Sequence, residues 1–129
     1  KMKPDISQRK DIELLINTFY EKVKTNAVIG YIFSDVAKVD WVSHMPVMYS
    51  FWASVLLNEQ SYTGNAMTPH IALSKLVLLS QKEFDEWLLL FNSTVDLLFE
   101  GEKADEAKFR AENIARLMMH KIDQQSNGI

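Results

Sequence analysis

The sequence predicts an all-α fold, and three observations predict it. Apolar residues recur at helical spacing along most of the 129 residues. Only four glycines and three prolines interrupt them. Nowhere is there a convincing run of the period-two alternation that a half-buried strand needs.

The first helix spans Gln8 to about Thr25, where Ile12, Leu15, Ile16, Phe19, Tyr20 and Val23 share a face with charges between them. Asn26 to Val39 reads as short turns around Gly30, with Ile29, Tyr31, Ile32 and Phe33 too apolar for solvent. A second helix covers about His44 to Asn58. His44, Met48, Phe51, Trp52 and Val55 lie on one of its faces. Proline costs a helix interior a hydrogen bond and a clash, so Ser43 is expected as N-cap, with Pro46 in the first turn. Asn58 to Met67 is polar and turn-rich, with Gly64-Asn65 as its clearest turn. Thr68-Pro69 then reads as an N-cap followed by proline at the first helical position, which puts His70 near the start of a short helix to about Leu78.

Ser80-Gln-Lys-Glu83 is a capping box opening a long helix that ends before Gly101. Its stripe of Phe84, Trp87, Leu88, Phe91, Val95, Leu98 and Phe99 is the cleanest periodicity in the chain. The last helix, about Lys103 to Asp123, carries Ala107, Ala111, Ile114, Met118 and Ile122 on one face. With no internal repeat or linker, residues 1–129 are expected to form a single domain.

Composition narrows the chemistry. The chain is 47% hydrophobic and 24% charged, ordinary for a soluble globular protein. Cysteine is absent, which excludes disulfides, iron–sulfur clusters, thiolate-bound haem and thiol nucleophiles. A net charge of −3, with 14 basic residues scattered among 17 acidic ones, leaves no footprint for nucleic acid. No apolar run approaches the roughly 20 residues of a membrane span, and Lys1–Lys10 is polar without a signal-peptide pattern. No membrane partner and a cytoplasmic location are therefore expected. Metal binding would rest on His44, His70 and His120, or on carboxylates.

Taken singly, these residues have plain explanations. A histidine near a helix start is usually a surface or satisfied core residue, and Tyr20 or Trp87 on an apolar stripe is usually core. A haem-free helical protein-interaction module is the alternative that such side chains permit.

In order, however, the local patterns resemble the third group of the truncated haemoglobin family. Phe19-Tyr-Glu-Lys-Val23 is similar to that group's first long helix, and Gly30-Tyr-Ile-Phe33 to its short turn ending in phenylalanine. Trp41-Val-Ser-His44 with Phe51-Trp52 resembles its distal helix. His70-Ile-Ala-Leu73 and Phe84-Asp-Glu-Trp-Leu-Leu-Leu-Phe91 resemble its proximal segment and the helix after it. Together they run from about Ile12 to Met119.

The resemblance implies a truncated globin fold, a shortened helical sandwich around one haem b, held non-covalently as iron protoporphyrin IX. His70 would be the proximal iron ligand. Phe33, Met48, Phe51, Phe84 and Trp87 would pack on the haem. Tyr20, His44, Met48 and Trp87 would form the distal pocket for dioxygen or another diatomic ligand. The resemblance leaves His44 three placements: into the pocket, onto iron, or swung to solvent. Pro69 departs from the basic side chain expected there in the group, with Lys75 as a candidate substitute. Redox chemistry on nitric oxide or peroxide would need an external reductase, because no flavin or nicotinamide motif is present. Whether the protein is an enzyme is left open.

Overall fold

A computed structural model describes residues 3–36, 38–60, 62 and 80–127, with side chains as far as Lys121. Four α-helices occur among them: α1 (Arg9–Lys24), α2 (Trp41–Leu57), α3 (Gln81–Leu98) and α4 (Glu102–Asn127). A π-helical turn, Ile32–Val36, lies between α1 and α2, and the described residues contain no strand. The segment expected to turn at Gly64-Asn65 and to run on from Thr68 to Leu78, His70 included, lies outside the described residues. No described helix is long and apolar enough to cross a membrane.

α1 follows its sequence pattern, with Ile12, Leu15, Ile16, Phe19, Tyr20 and Val23 all buried. Gln8 is its N-cap, and the Asp11 carboxylate accepts from the amides of Ser7 at 2.9 Å and Gln8 at 3.0 Å. The chain then turns back over the end of α1 at Gly30. A Cβ there would stand 3.0 Å from the carbonyl oxygens of both Val23 and Lys24, so glycine permits the close pass.

The start of α2 differs from expectation. It begins at Trp41, capped by the Asp40 side chain, which accepts from the Val42 amide at 3.2 Å. Pro46 therefore falls in the second turn, not the first. It cannot donate to the Val42 carbonyl, but Val42 is 86% exposed, so water can replace the missing donor. Ser43 lies inside the first turn instead, where its hydroxyl donates to Asp40 O at 3.2 Å. The helix stops at Asn58, whose left-handed φ of 57° ends the spiral. Its buried face is Trp52, Ala53 and Leu56, rotated slightly from the predicted stripe.

The predicted capping box at α3 is present: the Ser80 amide donates to Glu83 Oε1 at 2.6 Å. α4 extends beyond the expected Asp123 to Asn127. Its buried Ala104, Ala107, Ala111 and Ala115 present a low ridge, which allows close packing against the broad face of α3. α1 packs on both α2 and α3, and α2 touches α4.

The corner between α3 and α4 is closed by a residue far away in sequence. Gly101 precedes α4 at φ 141° and has no side chain with which to cap it. Asp5 does so instead, with Oδ2 accepting from Lys103 N and Oδ1 from Ala104 N, each at 2.9 Å. A Cβ on Gly101 would lie 2.6 Å from the Asp5 carboxylate. Pro4 O accepts from Glu100 N at 3.0 Å, and Ile6 and Phe99 are buried in the core on either side.

The remote cap makes a prediction against propensity. Serine is a preferred N-cap residue, yet Gly101→Ser should lower unfolding free energy in urea by about 1–3 kcal/mol through strain and collision. Asp5→Ala should cost about 1–2 kcal/mol. A neutral or stabilising Gly101→Ser would remove the remote-cap account.

Candidate functional site

The helices enclose a cleft holding about 970 Å³ of space between atoms, its open mouth included. α1 contributes Tyr20, and the following turn contributes Ile29, Ile32 and Phe33. His44, Met48, Phe51 and Trp52 come from α2, Glu83, Phe84 and Trp87 from α3. Ile114, Ala115 and Met118 close it from α4. Carbon dominates these walls, and the hydrogen-bonding side chains are few: Tyr20, His44, Trp52, Trp87 and Glu83. Walls of this chemistry suit a flat, largely apolar group with a polar edge or ligand.

Each polar group is set by the packing behind it. Phe19, fully buried, meets Tyr20 edge-on at 4.9 Å and Trp87 edge-on at 5.8 Å between ring centres. Phe91 stacks on Trp87 at 5.6 Å and on Trp52 at 4.8 Å. Two of the three tryptophans are thus anchored on one buried ring. Tyr20 and His44 meet edge to face at 5.5 Å. His44 comes from the first turn of α2, where its amide donates to Asp40 O at 2.9 Å.

The turn lining one side of the cleft is braced by Asn26. Its Oδ1 accepts from the amides of Val28 at 2.8 Å and Ile29 at 3.0 Å. Its Nδ2 donates to Glu86 Oε2 at 2.7 Å, tying the turn to α3 one residue before Trp87.

Burial pushes the Tyr20 hydroxyl well above the ordinary tyrosine range, because a phenolate would lose its hydration there. Tyr20 is therefore a neutral donor. At Glu83, burial pushes the carboxyl up, but hydrogen bonds from the Ser80 hydroxyl, the Ser80 amide and its own amide, with Lys82 nearby, hold it below its usual value. Glu83 thus stays ionised at the cleft edge while it caps α3.

Of the residues singled out in the sequence, Tyr20, Phe33, His44, Met48, Phe51, Phe84 and Trp87 all line this one cleft. His70 lies outside the described residues. His120 is exposed and takes no part in the cleft walls. No cluster of three or more metal-ligating His, Cys, Asp or Glu occurs among the described residues. Sequence reasoning did not assign Ile29, Ile32, Trp52, Glu83, Ile114, Ala115 or Met118 to the site. Their helical spacing marked several as apolar, but spacing does not tell a wall facing space from one facing another helix.

The chain matches no family model. It is 30% identical over 117 residues to the Group 3 truncated hemoglobin ctb of Campylobacter jejuni, covering 88% of this chain and 90% of that protein. The crystal structure of a group III truncated hemoglobin from Campylobacter jejuni superposes with a TM-score of 0.82 and 29% identity. That match covers 94% of this chain and 95% of the other.

The raised Tyr20 value has a testable sign. The neutral phenol's contribution to stability is complete below about pH 10, the unfolded tyrosine value, and is lost as pH climbs toward the folded value. In the folded protein at about pH 11, absorbance titration should count the same tyrosinates in the wild type and in Tyr20→Phe. One fewer in the variant would mean that Tyr20 ionises normally.

Proposed function

The chain belongs to the group 3 truncated haemoglobins, and from that membership we propose a haem b protein that reversibly binds dioxygen or another diatomic ligand in the cleft. The observation that carries this proposal is the gathering of Tyr20, His44 and Trp87 in a space otherwise walled by apolar side chains. Haem fits the chemistry of those walls. Phe33, Met48, Phe51, Phe84 and Trp87 offer rings and a thioether to a flat macrocycle. His70 is the proposed proximal ligand. When bound, haem supplies an iron that takes up small diatomic gases reversibly.

The chain's own residues then decide which ligand is retained. A hydrogen-bond donor in the cleft would favour dioxygen, the more polar ligand once held, over carbon monoxide. The Tyr20 hydroxyl, neutral through the physiological range, can be such a donor, and the Trp87 indole N–H can be another. His44, beside Tyr20, adds a further ring nitrogen to the polar side. Excluding water raises the value of each donor, so each contributes on the order of 1 kcal/mol, several-fold in release rate. A pocket of this kind retains oxygen more than it delivers it. Turnover of nitric oxide or peroxide would draw electrons from an external reductase, and the same donors would stabilise charge on the reacting oxygens.

Haemin added to the purified protein should produce a Soret band, and His70→Ala should alter or abolish it. An absent band in the wild type, or an unchanged band in His70→Ala, would overturn the proximal assignment. Tyr20→Phe and Trp87→Phe should each change the dioxygen dissociation rate by more than about twofold. Rates unchanged in both variants would remove the donor argument and leave haem binding intact.

A further inference from the structure

Trp41 is not a wall of the cleft, yet its indole touches three residues that are. Its ring centre lies 5.3 Å from Tyr20, 5.7 Å from His44 and 6.0 Å from Phe33. Tyr20 and His44 also meet each other at 5.5 Å, so the three rings of Tyr20, Trp41 and His44 form a closed triangle. Phe33 stacks on the indole at 24°. The Lys24 ammonium stands 4.7 Å from the centre of the Trp41 ring and 3.2 Å from Glu21 Oε1. Each ring of the triangle therefore has the other two against it.

The backbone gives this triangle more to do than an ordinary core contact. Trp41 and His44 are i and i+3 in the first turn of α2, and Pro46 denies that turn the hydrogen bond to the Val42 carbonyl. That turn is held by the Asp40 cap, by the bonds that His44 N and Ser43 Oγ donate to Asp40 O, and by the ring contacts. We propose that Trp41 is a positioning residue: held beneath the Lys24 ammonium, its indole fixes the angles at which Tyr20 and His44 meet a ligand in the cleft. Trp41 touches no ligand itself and acts through the two polar rings. The cation orders the indole, and the indole orders the donors. The effect on ligands rests on the proposed haem binding; the hold on Tyr20 does not.

The experiment compares wild type, Trp41→Ala, Trp41→Phe and Lys24→Met, each loaded with haemin. Because Trp41 is behind the walls, Trp41→Ala should leave haemin affinity within about threefold by Soret titration. Its dioxygen dissociation should quicken by about fivefold or more, while carbon monoxide dissociation changes by less than about twofold. Trp41→Phe, which keeps a ring in the triangle, should return the dioxygen rate to within about twofold of wild type, and Lys24→Met should fall between the two. In the haem-free protein, alkaline titration of Trp41→Ala should count one more tyrosinate than wild type, and Trp41→Phe should not. Dioxygen and carbon monoxide rates that shift together, or a dioxygen rate unmoved in both Trp41→Ala and Lys24→Met, would overturn the proposal. If Trp41→Ala lacks a cooperative melt, Lys24→Met decides it by the same ligand comparison. A wild type without a Soret band would overturn the haem proposal alone, since the tyrosinate count still shows whether Trp41 holds Tyr20.

Discussion

The cleft depends first on the burial of one ring. Phe91 is fully buried where α1, α2 and α3 converge, and it is in contact with Phe19, Trp52 and Trp87. Each of those rings in turn fixes something at the site. Trp52 and Trp87 are cleft walls, and Phe19 holds Tyr20 edge-on. A buried phenylalanine contributes about 1.5–3 kcal/mol by leaving water, and aromatic contacts add roughly 0.5–1.5 kcal/mol each. The stabilising core and the site's alignment are therefore the same set of contacts. The cleft is the place where this aromatic cluster stops being filled by its own chain, and its walls inherit the rigidity of the packing behind them.

That origin explains how a polar pocket survives in an apolar surround. Tyr20 is on the same helical stripe as Ile16 and Val23, so helix periodicity alone carries its hydroxyl to the inner face of α1. Burial then disfavours the phenolate and leaves a donor whose state does not vary through ordinary pH. Glu83 stands at the same cleft but is tied down differently, by hydrogen bonds at the N-terminus of α3 that keep it ionised. Two titratable groups in one cleft thus hold opposite states. Desolvation governs the first, and local hydrogen bonding overcomes desolvation at the second.

What could be read in the sequence divides along the range of the interactions. The α1 stripe and the Ser80–Glu83 box involve residues three or four apart and stand where the pattern places them. On α3, Phe91 and Val95 are buried as the stripe predicts, Thr94 joins them, and Phe99 lies just past the helix end. The start of α2 is less legible: keeping Pro46 in the first turn selects Ser43 as cap, whereas Asp40 caps the helix three residues earlier. An exposed second turn accommodates proline, so its position constrained the helix less than the first-turn rule suggests. The Asp5 cap on α4 was illegible, since a carboxylate nearly a hundred residues from its amide partners leaves no local pattern. At the site, Tyr20, His44 and Trp87 were recognisable through the ordered family resemblance. Ala115 and Met118 became walls only through the docking of α4, which periodicity does not specify.

The two ends of the fold solve opposite problems. At the α3–α4 corner the backbone is over-determined: Asp5 takes two amides, Pro4 O takes Glu100 N, and Gly101 has no room for a side chain. None of these residues lines the cleft. Around the cleft the main chain is held less regularly. A π-helical turn carries Ile32 and Phe33, Lys38 adopts a φ of 50°, and Pro46 interrupts the hydrogen bonding at the head of α2. Backbone bonds such as Gly30 N to Asn26 O and Val39 N to Phe33 O hold part of this stretch, and side chains add to them. Asn26 bridges the turn to α3, and the ring contacts of Phe33, Tyr20, Trp41 and His44 brace it further. A site aligned by side chains over an irregular backbone can be retuned by one substitution behind its wall without disturbing the fold. The corner, aligned by backbone amides and a forbidden Cβ, cannot.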